Sequence, residues 1–588
     1  MSTKQVDVLI VGAGPAGLYT ALFLARSGIS NIALISKHPV ATQVGHASGI
    51  HPRTQEILHT LNIYHQLAAG SGGVAETAFW SNSNDDQHLQ RISVATEITN
   101  ETMYRRTIVQ HQGITEKLLH YTYTHSRTHP IRASIKNHIS GEVESWDCKY
   151  MIAADGRSSR LRELAGIGSA INDTEATWAV GDFEVETDFP DLRRRCPIRT
   201  SRGNLMLIPS LHKTLRIYML LNQEELEELN DSIFEGGRDV TSHGNHTTLL
   251  DLFERKLPTI FNPYTIKLNK VRWISRYTVS QRVADRFYDG KRLLFVGYSC
   301  HSHSPKAAQG MNTGIQDAHN LAWKLSLILR DRATPDLLET YHLERKHIAQ
   351  QLIEFDIRFA KHFAELSSPE FYDLWKQNQG FTSGLGQHYP PNALVDEHIP
   401  ADINELAVEP LTPGKRYLPN TALIRHIDGW ELTSLDVMPS NGEFHLVIFA
   451  GDISIEPRKA EFNSLYNTLT SSSSALTKLN GHQNNKSSSN TPEANAWPWE
   501  DIHTNHDHSP QNTKLANLFV IHTANHLHIE LRPRYELWKY KFFEDREGWE
   551  HAQHGVDPKG RMMAVVVRPD GIVGMSHPLK TNRSRFLS

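Results

Sequence analysis

Cysteine is nearly absent from this chain. Its 588 residues hold three, Cys148, Cys196 and Cys300, none in a CxxC pair, which excludes a disulfide framework and a thiol redox motif. Any redox agent must therefore be borrowed. Excess charge of one sign is lacking too: 61 Lys and Arg against 65 Asp and Glu leave a formal −4, well interspersed, with no long-range field for nucleic acid or an anionic membrane. Neither is expected as a partner. No apolar run is long enough to cross a bilayer, and the N-terminal MSTKQVDVLIVGAGPAG enters a strand without a basic leader or cleavage site, so a cytoplasmic location is expected. With 39% hydrophobic residues, the length suffices for two or three domains with full cores. No long internal repeat is visible.

What is present begins with a strand over Val6–Val11, apolar except at Asp7, then Gly12-Ala13-Gly14-Pro15-Ala16-Gly17, then a helical apolar pattern from Leu18 to Arg26 closed by Gly28. A second strand follows at Ile32–Ile35. This is a βαβ start, in which glycines permit a tight turn and close backbone approach while the helix N-terminus offers free N–H groups to a pyrophosphate. Far downstream, Asn312–Leu329 carries a one-sided apolar stripe through Ile315, Ala318, Leu321, Ala322, Leu325 and Leu329. Its start at Gly310-Met311-Asn312 suits hydrogen bonding to a polar ring edge, or is an ordinary capped helix. The strand Tyr150–Ala154 ends in an Asp155-Gly156 turn followed by Arg157, Arg160 and Arg162, which alone reads as a common turn with a solvated basic helix face. The Cys300–His303 segment places two histidines on one side of a strand end, but the sequence places no carboxylate or further cysteine beside them, so no metal is expected.

The helix Asp336–Phe363 reads as scaffold, with Glu339, Glu344, Arg345 and Lys346 in exposed pairs. Composition changes after Tyr389. Strands at Phe444–Ala450 and Met562–Val567, the latter followed by the turn Arg568-Pro569-Asp570-Gly571, suggest a small α/β unit. Ser471–Ser474, Asn484–Asn490 and a His-rich run to Pro510 form a polar, low-complexity insertion, expected to be a disordered loop.

Seven segments, in order over almost the whole chain, carry a family resemblance. They are GAGPAGL (12–18), GHASGIHPRTQEIL (45–58), HQGITEKLL (111–119), AADGRSSRLREL (153–164), TDFPDLRRRCPIRT (187–200), LRIYMLL (215–221) and HSHSPKAAQGMNTGIQDAHNLAWKL (301–325). The set resembles the phenol 2-monooxygenase group of class A flavoprotein aromatic hydroxylases. The resemblance implies an α/β chain of the p-hydroxybenzoate hydroxylase fold: a doubly wound FAD-binding domain (1–185 and 275–400), an interleaved mixed-sheet substrate domain (186–274 with parts of 75–110), and a thioredoxin-like domain (411–588, insertion about 467–512). It also implies non-covalent FAD, transient NADPH, molecular oxygen, a phenolic or polyketide-type substrate hydroxylated through a flavin C4a-hydroperoxide, and a homodimer. The cofactor carries the hard step, and the protein supplies orientation and proton management.

The resemblance further assigns Gly12, Gly14, Pro15, Ala16 and Gly17 to the pyrophosphate turn, and Arg53 and Gln112 to flavin-side contacts. Asp155 and Gly156 fall to the FAD/NADPH-associated turn, and Ala308, Gln309, Gly310, Met311 and Asn312 to the loop under the isoalloxazine. Arg216 and Tyr218 fall near ring and substrate, where a cation and a phenol hydroxyl stabilise phenolate-like charge, although residues alone read them as alternation on a strand. Three positions depart from the pattern. Ser36 stands where the second strand ends in a ribose-binding acid, Tyr298 where an aspartate contacts the ribityl chain, and Ser48 where an aspartate draws the proton from the phenol; a serine at its free pKa is no general base. His46 and His51 flank Ser48 and could take over. Two expectations follow: an FAD monooxygenase with an altered substrate site, or a hydroxylase shell with impaired FAD binding that runs a non-redox cyclisation, dehydration or isomerisation, or partners an active homologue.

Overall fold

The computed structural model describes residues 3–38, 41–42, 45–82, 88–98, 101–120, 131–136, 143–172, 176–210, 214–229, 246–304, 309–364, 370–397, 411–419, 421–480, 515–529 and 541–579. They divide into two compact units: Met1–Leu22, Asn31–His319 and Tyr341–Gln387 in the first, and Phe23–Ser30, Asn320–Thr340 and His388–Ser588 in the second.

The first unit is built on a parallel sheet in the order Leu293–Phe295, Val143–Ala153, Lys4–Val11, Ile32–Ile35, with Ile131–Lys136 antiparallel at one side. Val8, Leu9 and Ile10 are fully buried, as an apolar run covered on both faces requires. The chain leaves Lys4–Val11 through the glycine turn into the helix Pro15–Arg26, whose first residue lacks only an N–H that no helix uses there.

A seven-stranded mixed sheet follows, ordered Ile266–Thr278, Thr177–Thr187, Thr214–Leu220, Gly203–Pro209, Cys196–Thr200, Glu76–Ser81, Gln90–Thr96. Strand alternation sorts its side chains into two layers. Ala179, Phe183, Leu205, Leu207, Leu215, Ile217 and Met219 pack under the helix His246–Phe261, against Leu249, Leu252, Phe253 and Leu257. The opposite face carries Trp178, Val180, Met206, Ile208 and Tyr218, covered by Phe355, Phe359 and Phe363 of the helix Leu337–Ala364 and by Phe371, Leu374 and Trp375. That helix is not the exposed scaffold expected from its charges: Glu344 and Arg345 are fully buried.

The second unit holds another seven-stranded sheet, ordered Glu431–Leu432, Leu423–Arg425, Phe542–Glu544, Ala516–His522, Phe444–Gly451, Met563–Val567, Val573–Pro578. Its three middle strands are parallel and its flanks antiparallel. Asn467–Asn480, expected to open a disordered insertion, instead lies in the helices Arg458–Thr470 and Ala475–Asn480 and the turn Ser471–Ser474 between them, because Leu469 and Leu476 join the core. The remainder of the insertion, 481–512, falls outside the described residues.

Within this unit Glu550 is buried and accepts from the Tyr417 hydroxyl at 2.7 Å and from Thr421 and Gln553. Burial nevertheless pushes its carboxyl up to about 8, with Asp545 adding to it. A carboxyl that ionises near 4.5 when unfolded and near 8 when folded favours the fold only while protonated, so stability falls as pH rises through that window. Glu550→Gln should therefore be about as stable as the parent at pH 5 and more stable at pH 9, by at most about 4 kcal/mol, with a correspondingly higher thermal midpoint there. Parallel Tm–pH curves for the two proteins would show that the carboxyl is charged throughout.

Candidate functional site

The turn after the first strand is shaped by two glycines that cannot change and one that faces open space. Gly12 has φ +116°, and a Cβ there would stand 2.1 Å from the Ala154 carbonyl oxygen; one on Gly17 would stand 2.0 Å from that of Gly12. A Cβ on Gly14 meets nothing within 4 Å. Pro15 and Ala16 open the helix, so the free N–H groups of its first turn look into that space. Beside it, Asp155 accepts from the Leu161 N–H at 3.2 Å with Oδ2, while its buried Oδ1 has no partner among the described residues. Gly156 follows at φ +82°. Ser36 is exposed and its hydroxyl accepts from the His38 N–H at 3.1 Å. An anion-binding turn beside an unpaired carboxylate oxygen fits the pyrophosphate and ribose of a dinucleotide. Arg162 is not part of a solvated face: it is buried and donates to the Ser299 carbonyl at 2.7 Å.

At the other end, the helix Gln309–Leu329 begins three residues earlier than its apolar pattern announced, and Ala308 lies outside the described residues. Gln309 donates to the Thr382 carbonyl, and Met311 is buried. Asn312 clamps the wall opposite, accepting from the His51 N–H and donating to the Gly49 carbonyl, both at 2.9 Å. Gln112 holds the neighbouring loop, accepting from the Ala47 N–H at 3.1 Å and donating to Glu116 at 2.8 Å. Arg53 pairs with Glu56 at 3.0 Å. Gln309, Asn312, Gln112 and Arg53 thus each have a protein partner. Tyr298 lies against the first turn of the Gln309 helix. It is 40% exposed, and a Cβ on Gly310 would fall 2.0 Å from its hydroxyl oxygen.

The charged centre lies on one face of the mixed sheet, where cross-strand pairing sets Asp182 opposite Arg216 and Trp273, Val180 opposite Tyr218, and Trp178 opposite Tyr277. Arg216 donates Nε and Nη2 to the two oxygens of Asp182, both at 2.7 Å, lies 5.5 Å from the Trp273 ring centre, and also donates to the His46 carbonyl. Burial works against its charge, but Asp182 and Tyr218 together outweigh it, and its pKa is raised. Tyr277 has a buried hydroxyl without a partner among the described residues. Ser48, in the loop held by Gln112, gives its carbonyl to the Gln110 N–H at 2.8 Å. His46 takes φ +62°; the surrounding protein, with Arg216 adding to it, lowers its pKa against the pull of Glu116. His111 accepts from the Gly113 N–H at Nδ1, 3.2 Å, so its proton sits on Nε2, which is buried and has no partner among the described residues.

In the interior a buried carboxylate not placed by the sequence joins the histidine segment. Asp317 receives Arg345 Nε at 2.7 Å on one oxygen, and His301 Nε2 at 2.8 Å and the Gly297 N–H at 3.1 Å on the other. Cys300, His301 and Asp317 bring ligand atoms within 4.8 Å of one another, but Asp317 is spent on a fixed guanidinium, which disfavours a cation there.

Residues 5–356 match the family described as FAD binding domain, and residues 387–585 that of phenol hydroxylase, C-terminal dimerisation domain. The chain belongs to the FAD-dependent aromatic monooxygenases. It is similar to phenol 2-monooxygenase fsqG of Aspergillus fumigatus, at 29% identity with 98% of this chain and 94% of that protein covered. It is also similar to 3-hydroxybenzoate 4-monooxygenase of Comamonas testosteroni, at 27% identity with 76% and 74% covered. Among solved structures, the flavin-dependent monooxygenase PieE, in complex with FAD and substrate, superposes with TM-score 0.67 at 19% identity, covering 97% of this chain and 96% of that one, which shows the shared fold. In this monooxygenase the sequence motifs located the glycine turn and the Gln309 helix, but not Asp182, Trp273 or Tyr277. The only signal for those was apolar–polar alternation in TWAVGDFEVET and VRWISRYT, which does not say which strands meet. No helix among the described residues is long and apolar enough to cross a membrane.

Proposed function

We propose that this FAD-dependent monooxygenase uses NADPH and molecular oxygen to hydroxylate a phenolic or polyketide-type aromatic substrate. The reading rests on a buried, fixed cation beside a phenol hydroxyl on an aromatic-lined sheet face: Arg216 and Tyr218, with Asp182 behind. FAD would be held at Gly12–Gly17 and Asp155 and at the first turn of the Gln309 helix, and when bound it supplies oxygen activation after reduction. The chain's own residues do the rest. Arg216, fixed by two hydrogen bonds to Asp182, places positive charge where a substrate oxygen becomes phenolate-like, and being fixed it needs no reorganisation as that charge develops. Tyr218 donates to the same oxygen. Trp178, Phe79 and the phenylalanines of the Leu337–Ala364 helix exclude water, which strengthens both interactions.

Ser48 cannot take the phenol proton, and the neutral His46 beside it can. His46→Ala should lower kcat on the neutral side of the pH profile and leave substrate KM little changed, whereas an unchanged profile would remove His46 from the proton path. A homodimer is assigned to the second unit on its match to the dimerisation domain, and a cytoplasmic location completes the reading. Purified protein should absorb in the flavin bands and consume NADPH faster with a phenol present. Loaded protein that leaves NADPH untouched with every phenol tried would reject it.

A further inference from the structure

Gly297 is wedged between two helices. A Cβ on it would lie 3.3 Å from the Ala16 Cβ and 3.5 Å from the Gly314 Cα, and its φ is +61°. The same residue is anchored from behind by its N–H to Asp317. Residue 298 is thereby placed beside the glycine turn on one side and the first turn of the Gln309 helix on the other. A ligand whose pyrophosphate lies at Gly14 and whose ring lies at Gln309–Asn312 has to run past it.

At that point the chain carries a phenol. The Tyr298 ring leans toward Gly310, its hydroxyl so close that only glycine fits there. His303 and His301 back it, with ring centres 5.7 and 6.4 Å away. The enclosing protein pushes its hydroxyl up to about 12, so it is an uncharged ring at any working pH. The residue is still 40% exposed, so it is not packed on every side, which leaves room for a rotation about the Cα–Cβ bond. At the other end a Cβ on Gly14 meets nothing within 4 Å among the described residues.

We propose that Tyr298 is a gate across the cofactor path: the adenylate half of FAD binds to the open glycine turn, and the flavin half enters only when Tyr298 turns aside, so this one residue sets flavin occupancy. The proposal rests on the reading of the cradle as the FAD site. It predicts a separation between two ligands that share one half. ADP tests the open end alone, and FAD tests the gate.

The experiment is equilibrium titration of the flavin-stripped full chain with ADP and with FAD, read by calorimetry and by quenching of flavin fluorescence, for the parent, Tyr298→Ala and Tyr298→Phe. Tyr298→Ala should bind FAD at least tenfold more tightly than the parent, Tyr298→Phe should stay within about threefold of it, and all three should bind ADP alike. FAD affinity equal to or weaker than the parent's in Tyr298→Ala, with ADP binding intact, overturns the gate and leaves the FAD site standing. ADP binding with no FAD binding in any of the three overturns the cofactor reading itself, and the gate with it. Should Tyr298→Ala fail to fold, stopped-flow mixing of the parent decides: a gated site gives an FAD association rate that levels off with concentration while that of ADP stays linear, and an FAD rate that stays linear overturns the proposal.

Discussion

Arg216→Met is expected to lower kcat by about 10²–10³-fold and to destabilise the first unit by about 3–5 kcal/mol, two effects with separate causes. The loss of turnover follows from removing a fixed cation from the place where substrate oxygen charge develops. The loss of stability follows from Asp182, whose side chain is only 13% exposed and which loses both of its 2.7 Å hydrogen bonds from Arg216. A second substitution separates them. In Arg216→Met with Asp182→Leu no carboxylate is left unpaired, and two apolar side chains of similar bulk lie against Trp273, so stability should return most of the way to the parent's. Turnover should not return. Chemical denaturation and steady-state kinetics on the three proteins give both answers, and recovery of turnover in the double variant would show that Arg216 serves the fold and not the reaction.

What the sequence made legible was local. The run from Val6 through Gly17 to Arg26 and Ile32–Ile35 could be placed because each step constrains the next within about thirty residues: an apolar strand, a turn only glycine can make, a helix, and a parallel return. The Gln309–Leu329 helix was legible from its apolar stripe, although its start was not, since the first turn carries little of that stripe. Arg345 was misread for the same reason in reverse. Charge spacing on a helix marks neighbours along one face but cannot tell a face in water from a face against another helix, and here Asp317, 28 residues earlier, neutralises the arginine in the interior. The Arg216 centre was illegible as a centre because it depends on register. Asp182, Arg216 and Trp273 come from strands separated by some thirty to ninety residues, and a slip of one position would send any of them into the opposite core layer. The substitution at Tyr298 was plain in the sequence, but the direction of its ring was not, because that direction is imposed by Gly310 and by the two histidines behind it.

Asp317→Asn is expected to be the more damaging change at a distance from the chemistry. The side chains of His301, Asp317 and Arg345 are all fully buried, so Arg345 would keep its charge in the interior against a neutral amide where the carboxylate was, beside the Gln387 amide oxygen at 3.0 Å. Removing one partner of such a buried pair costs about 3–5 kcal/mol. Burial alone would raise the Asp317 pKa, but Arg345 and His301 more than reverse this and hold it below the ordinary carboxylate value. A depressed folded pKa means that the carboxylate stabilises the fold above the unfolded value near 3.8 and that this contribution is lost as pH falls through the folded one. Unfolding followed from pH 7 down to pH 2 should therefore show the gap between parent and Asp317→Asn narrowing toward the acid end, as the unfolded parent takes up the proton that the folded form resists. The same carboxylate receives the Gly297 N–H, so the variant also loosens the segment that carries Tyr298, and FAD affinity should shift even where the protein remains folded. A constant stability gap across that range, with FAD affinity unmoved, would mean that Asp317 acts as a neutral spacer and that Arg345 is compensated by another group.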